Sequence, residues 1–228
     1  MQQYFIDQKL NINNIFSLTA EDIYHLRKVL RKDNTYIFRV CDSNHDIYLC
    51  HLLDNDEVEA VELLNENNEL DINITCILSL IKSDKLELCI QKLTELGINR
   101  IVLYDSVRSV MKIKDDKKLD RYRKIIKEAA EQSHRNIIPE IYFIKSVKDM
   151  KKYMSIDNYI CYESDDNIVD IDVKNDITFI IGPEGGFELN EYNSICDLGF
   201  KSMSLGKRIL RAETAAIYMS SVIVSKCQ

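Results

Sequence analysis

Two prolines and six glycines in 228 residues exclude collagen-like and low-complexity architectures. No apolar run approaches the ~18–20 residues that span a bilayer. The opening MQQYFIDQKL has no signal-peptide core, so the expectation is a soluble, cytoplasmic protein without a membrane partner. No C-x-x-C pair occurs among the seven cysteines, an odd number. Most of them sit in apolar segments such as ITCILSL and LELCIQKL, as small core residues of a reducing compartment do. Cys and His do not cluster at ligand spacing, so no metal site is expected. There is also no G-x-G-x-x-G opening a βαβ unit, no Walker A loop and no G-x-S-x-G elbow. These absences argue against a nucleotide-dependent oxidoreductase, a P-loop NTPase and a serine hydrolase.

Apolar residues make up 46% and charged residues 29%, a composition suited to one large or two smaller globular domains. The net charge of −7 lies wholly in residues 1–70, which hold 6 Lys/Arg against 13 Asp/Glu; the rest is balanced at 24 each. Such a chain does not coat nucleic acid indiscriminately, because that binding depends on neutralising phosphates. Two local basic clusters could still serve a specific site: Arg27, Lys28, Arg31 and Lys32, and the stretch from Lys112 to Arg135.

Residues 1–68 read as a small β-barrel-like module. TAEDIYHLRKVLRK carries a Thr19 cap, early acids and late bases, the signals of a helix. Its apolar face is Ile23, Leu26, Val29 and Leu30, which leaves Arg27, Lys28 and Arg31 outward. TYIFRVCD and HDIYLCHLLD predict a hairpin around DSNHD, EVEAVELLN continues the β pattern, and ENNEL reads as a linker. From residue 72 to 228 strands alternate with helices. The strands are ITCILSL, RIVLYD, EIYFI, NYICYE, ITFIIG and KSMSL, and the last helix is RAETAAIYMSSVIVS. In SDKLELCIQKLTELG, Asp84 and Glu87 have capping-box spacing and Gly97 stands at the C-terminal stop. This alternation predicts an α/β domain with a mostly parallel sheet covered on both faces.

Ligands of open α/β sheets bind beyond the carboxyl ends of the strands, and two unusual loops occupy such positions. Gly182-Pro183-Glu184-Gly185-Gly186-Phe187 follows ITFII and holds three of the six glycines. It can offer bare peptide groups to a planar ligand, or simply make a tight strand–helix turn. The second loop, Leu205-Gly206-Lys207-Arg208-Ile209-Leu210-Arg211-Ala212-Glu213-Thr214-Ala215-Ala216, leads into the last helix, whose small residues permit close packing. His25 and His134, flanked by Leu or Arg, fit structural roles better than acid–base ones.

Together, IIGPEGGF and LGKRILRAETAA resemble the signature of the RsmE family of 16S rRNA uridine-N3 methyltransferases, members of the SPOUT class. The resemblance extends to IKSDKLELCIQKLTELGI, DSVRSV, EAAEQSHRNIIPEI and HLRKVLR, and so covers most of the chain. It implies a PUA-like RNA-binding β-barrel over residues 1–68. Residues 72–228 would form a SPOUT domain whose sheet carries a trefoil knot, which periodicity alone cannot show. It implies S-adenosyl-L-methionine as cofactor, 16S rRNA or the small ribosomal subunit as partner, and a homodimer. By position, Gly182, Glu184, Gly185, Gly186, Leu205, Gly206, Ile209 and Leu210 would surround the cofactor, with Glu184 organising its loop by accepting N–H groups. Arg211 and Arg108 would be catalytic, and Arg27, Arg31 and Arg135 would bind RNA. One departure is Gln2-Gln3 before Tyr4-Phe5, where the family usually has an arginine. Rival readings are the same chemistry on another RNA such as tRNA, or a non-catalytic ribosome-assembly protein that would keep basic patches without a cofactor loop.

Overall fold

Long runs of β-branched residues make strands that are buried on both faces, and the two most apolar runs of this chain lie side by side at the centre of a sheet. In this computed structural model, which describes residues 1–113, 116–163 and 171–227, β1–β5 build one sheet and β6–β11 another. The chain divides into two units: residues 1–69 with 130–137, and residues 70–129 with 138–228.

In the first unit, β1 (Gln3–Phe5) pairs parallel with β3 (Phe38–Cys41), and β3 turns antiparallel into β4 (Ile47–Leu52). β5 (Val58–Leu64) lies beyond β4, and β2 (Ile15–Phe16) closes the order β1-β3-β4-β5-β2. The predicted hairpin forms because the buried Asp42 carboxylate accepts the N–H groups of Asn44 (2.8 Å) and Asp46 (3.1 Å), while His45 takes a positive φ of 69°. Tyr4, Leu26, Phe38, Cys50 and Leu52 form the core. The expected continuous helix over 19–32 is shorter and changes pitch. Thr19 caps α1 (Ala20–Tyr24), accepting from Asp22 N–H at 3.1 Å, but His25–Val29 is a wider π-helical turn. Arg31, at φ 53°, ends the segment.

Residues 130–137 return to this unit. The guanidinium of Arg135 meets Glu69 through Nη2 at 2.5 Å and Nε at 3.2 Å, both side chains being buried. Glu69 also accepts Asn136 N–H at 2.9 Å, and Asn136 Nδ2 donates to the carbonyls of His45 and Glu66.

In the second unit every strand pairing is parallel, in the order β11-β9-β10-β6-β7-β8. β6 (Ile74–Ser79) and β10 (Ile177–Ile181) are buried at every position. The flanking strands are β7 (Arg100–Tyr104) and β8 (Glu140–Ile144) on one side, β9 (Asp157–Cys161) and β11 (Lys201–Met203) on the other. Alternate side chains feed two cores. Ile74, Cys76, Leu78, Phe179 and Ile181 pack with Leu86 and Cys89 of α2 (Ser83–Glu95), Tyr122 and Ile126 of α3 (Asp116–Gln132), and Ala216 and Met219 of α5 (Ala212–Val224). Ile77, Val102, Ile160 and Ile180 pack on the opposite face with Phe187 and with Ile195 of α4 (Leu189–Asp197). The segment 147–153 is a 3-10 helix started by Ser146.

The capping box anticipated at Asp84 and Glu87 is not the device used. The N-cap of α2 is Lys82, whose own side chain makes no capping bond. Its backbone N–H donates instead to the Glu184 carboxylate, 3.2 Å away. Gly97 does close α2, at φ 89°.

Candidate functional site

A cavity of about 550 Å³ opens where the carboxyl ends of β6, β9, β10 and β11 lie together. One wall is Gly182, Pro183, Glu184 and Gly186; the other is the run Ser204–Gly206 and Arg208–Glu213. Cys161 and Ile181 give an apolar floor, while Lys82 and Lys85 of the α2 end reach the same space. The mouth mixes charges, with Arg208 and Arg211 against Glu163, Glu184 and Glu213.

Gly186 has a backbone reason to be glycine. Its φ is +66°, and a Cβ there would stand 2.7 Å from Glu163 Oε1, so the loop after β9 lies directly against it. The turn itself is closed by Gly186 N–H donating to the Pro183 carbonyl at 2.9 Å, and Phe187 then buries its ring in the core below. The Glu184 carboxylate, by accepting the Lys82 N–H, ties this loop to the start of α2.

The second wall ends in α5, whose first intrahelical bond is Ala215 N–H to Arg211 C=O at 2.8 Å. Arg211 is its N-cap and is exposed at the cavity, without a side-chain capping bond. Leu205 and Leu210 are half-buried, whereas Ile209 is 85% exposed. An apolar side chain that bare sits at the cavity rim as surface available to cover a ligand or another chain.

Arg108 belongs to the loop after β7 and does not line the cavity. It donates from Nη1 to the carbonyl of Gly185 at 3.1 Å, so it touches the glycine wall from outside. That loop is held from below by Glu191, a buried carboxylate in the first turn of α4. Glu191 accepts Tyr104 Oη (2.6 Å), Ser106 Oγ (2.9 Å) and Val107 N–H (3.1 Å). Burial, and then the bond to Glu191, push the Tyr104 phenol well above its ordinary pKa, so it acts as a fixed donor. Burial pushes the Cys161 thiol up to about 12, which leaves it a neutral floor residue rather than a nucleophile.

Arg135 and Arg27, the expected RNA contacts of the sequence, both have structural partners within the first unit. Arg135 is spent on Glu69, as above, because the chain needs a buried cation to balance that carboxylate. Arg27 is half-buried: it pairs with Asp56 (2.9 Å) and donates to Asn34 Oδ1 (2.7 Å) and the Leu53 carbonyl (3.1 Å), bracing the β4–β5 turn against the segment before β3. The outward orientation read from the helix pattern fails for Arg27 because the helix widens after Tyr24. Arg31, by contrast, is exposed. Of the basic stretch from Lys112 to Arg135, residues 114 and 115 lie outside the described residues. His25 and His134 have structural partners, Tyr4 Oη at 3.0 Å and the Met1 carbonyl at 2.8 Å.

The residues that sequence reasoning missed are Glu163, Glu191, Lys85 and Tyr162. Tyr162 lines the cavity and stacks on Tyr192 of α4, with centroids 4.2 Å apart. Nothing local marks them: Tyr162, Glu163 and Glu191 each meet residues far along the chain, and Glu191 stands in the first turn of α4.

Among the described residues no helix is long and apolar enough to cross a membrane. Residues 68–224 match the model of the RNA methyltransferase domain. The chain is 35% identical to ribosomal RNA small subunit methyltransferase E of Mesomycoplasma hyopneumoniae (strain 232), over 100% of its own length and 99% of the relative's. It is 34% identical to the protein of the same name from Bacillus subtilis (strain 168), over 98% and 96%. Among solved structures, the ribosomal RNA small subunit methyltransferase E of Neisseria gonorrhoeae, bound to S-adenosyl methionine, superimposes with a TM-score of 0.90 at 28% identity, covering 99% of this chain and 97% of that one. A methyltransferase of Legionella pneumophila, in complex with the same cofactor, gives 0.90 at 26% identity, over 98% and 96%. The chain belongs to the RNA methyltransferase domain family, among the ribosomal RNA small subunit methyltransferase E proteins.

Proposed function

We propose that this protein uses S-adenosylmethionine to methylate N3 of a uridine in 16S rRNA of the small ribosomal subunit. The observation that carries the reading is the cavity itself. A glycine turn faces a half-apolar loop across about 550 Å³, and arginines stand at the mouth. Those features suit a cofactor with a planar base, an aliphatic arm and a cationic centre. The names of the relatives favour the small-subunit RNA over tRNA as substrate. A non-catalytic assembly protein would have no use for such a cavity.

S-adenosylmethionine, when bound, supplies an electrophilic methyl group. The chain's own task is to hold the acceptor in line and to stabilise the charge that builds on it. In this reading the 182–186 loop presents N–H and C=O groups to the adenine, while Leu205, Gly206, Ile209 and Leu210 pack its faces. Glu184 keeps the loop in place through the Lys82 N–H. Uridine N3 becomes nucleophilic only as its proton passes to solvent water at the open mouth, and the negative charge then spreads to O2 and O4. Arg211, exposed at the mouth, is the donor placed to meet that charge, an effect worth ~3–4 kcal/mol per donor. Arginine stays protonated, so it serves as fixed charge and not as the base. Arg108, at the Gly185 carbonyl, holds the glycine wall and offers a second cation to the RNA. The target base must be unstacked for its N3 edge to enter.

Several structural readings accompany this function. The first unit, with its five-stranded sheet, would be the PUA-like RNA-binding domain, residues 72–228 the SPOUT domain, and Arg31 a phosphate contact. Insertion of β10 between β6 and β9 supports a trefoil knot in the segment that carries the cavity. The bare Ile209 and the 45% exposed Tyr218 of α5 are apolar surface that a second copy would cover in a homodimer. A cytoplasmic location, where ribosomal RNA is assembled, goes with the same reading.

The test is calorimetric titration with S-adenosylmethionine, followed by single-turnover transfer of its labelled methyl group to unmodified small subunits. Saturable binding with transfer supports the function. Saturable binding without transfer to any RNA overturns it.

A further inference from the structure

We propose that Glu191 is a positioning residue for the methyl-transfer site, holding the 105–110 loop so that Arg108 stays against the glycine wall. The inference rests on the reading that Arg108 serves that site. Three donors converge on one buried carboxylate: Tyr104 Oη and Val107 N–H on Oε1, at 2.6 and 3.1 Å, and Ser106 Oγ on Oε2 at 2.9 Å. They come from the last residue of β7 and the first part of its loop, 84 to 87 residues away in sequence. The next residue after this anchor is Arg108, whose side chain crosses to the Gly185 carbonyl. The loop is thus pinned at both ends of a short span, below by Glu191 and above by Gly185.

The arrangement also links the two ends of one strand–loop–helix unit. Glu191 lies five residues after Gly186, in the first turn of α4, where a carboxylate is favoured by the unpaired N–H groups of the helix start. Neutral acceptors would make weaker bonds to two hydroxyls and an amide than an ionised carboxylate does. A buried carboxylate is costly unless it is fully bonded, and here three donors satisfy it. Val107, 63% exposed beside this anchor, shows that the apolar side chain is left outside while its backbone is held inside.

The experiment is a double-mutant cycle read by single-turnover methyl transfer to unmodified small subunits and by calorimetric affinity for S-adenosylmethionine. Glu191→Gln keeps the side chain's size, and Ser106→Ala removes one donor should the first variant fold poorly. We expect either to slow transfer about tenfold, the scale of a slight misplacement of a reacting group, while cofactor affinity changes less than twofold. In an Arg108→Ala background, the same substitution should slow transfer by less than twofold further, since its effect passes through Arg108. Full additivity of the two losses would overturn the positioning role while leaving Arg108 in the site. An Arg108→Ala protein as active as the parent would overturn the assignment of Arg108, and the proposal with it.

Discussion

Arg108 donates to the carbonyl oxygen of Gly185 at 3.1 Å, joining the loop after β7 to the glycine turn after β10 although 77 residues separate them. The contact makes the glycine turn a supported wall rather than a free loop.

Gly186 is the least replaceable residue of that wall. Gly186→Ala demands a positive φ from a residue with a Cβ and drives that atom against Glu163. We expect S-adenosylmethionine affinity to fall at least tenfold in calorimetry, together with a stability loss of about 1–2 kcal/mol. Unchanged affinity would show that the wall does not touch the cofactor.

Arg211→Ala should separate chemistry from binding. The methyl-transfer rate should fall by about two orders of magnitude, as when one charge-stabilising donor is lost, with cofactor affinity within a few-fold of the parent. Equal single-turnover rates would remove Arg211 from the mechanism.

Arg135 and Arg31 should behave oppositely. Arg135→Ala strands Glu69 in a buried site and should cost about 3–5 kcal/mol in denaturant unfolding. Arg31→Ala, an exposed change, should leave stability untouched. It should weaken rRNA binding and lower the slope of affinity against salt by about one. The reverse pattern would return Arg135 to the RNA surface.

Stability should decline on the alkaline side. Burial pushes the thiols of Cys41, Cys50, Cys89 and Cys161 up to about 12. Unfolded thiols ionise near their ordinary value of 9.0, so above it the unfolded chain binds fewer protons than the folded one. The contribution is fully present below pH 9 and is lost as pH rises through about 12. Denaturant midpoints measured at pH 8 and pH 10 should therefore fall, and Cys89→Ala should flatten the slope. A midpoint that rises between these values would contradict the burial of the thiols.

The local parts of this molecule were legible because they obey short periods. ITCIL and ITFII read as doubly buried strands, and they are the central pair, β6 and β10. Gly97 read as a helix stop and has φ 89°. The glycine turn stood out by composition alone. What depended on distant partners was hidden: the Lys82 N–H takes its cap from Glu184, 102 residues on. Nothing near Arg135 announces Glu69, which is 66 residues away in sequence and in contact in space. Arg27 followed an ideal helical wheel, which the π-turn at His25–Val29 rotated out of register. β1 went unmarked because three residues of strand carry no period.

The most direct test is the identity of the product. The protein would be incubated with methyl-labelled S-adenosylmethionine and, separately, unmodified small ribosomal subunits, naked 16S rRNA and bulk tRNA, and the digested nucleosides identified by mass spectrometry. Label should appear as 3-methyluridine in the 16S samples and be absent from tRNA. Label confined to tRNA, or a different methylated nucleoside, would contradict it.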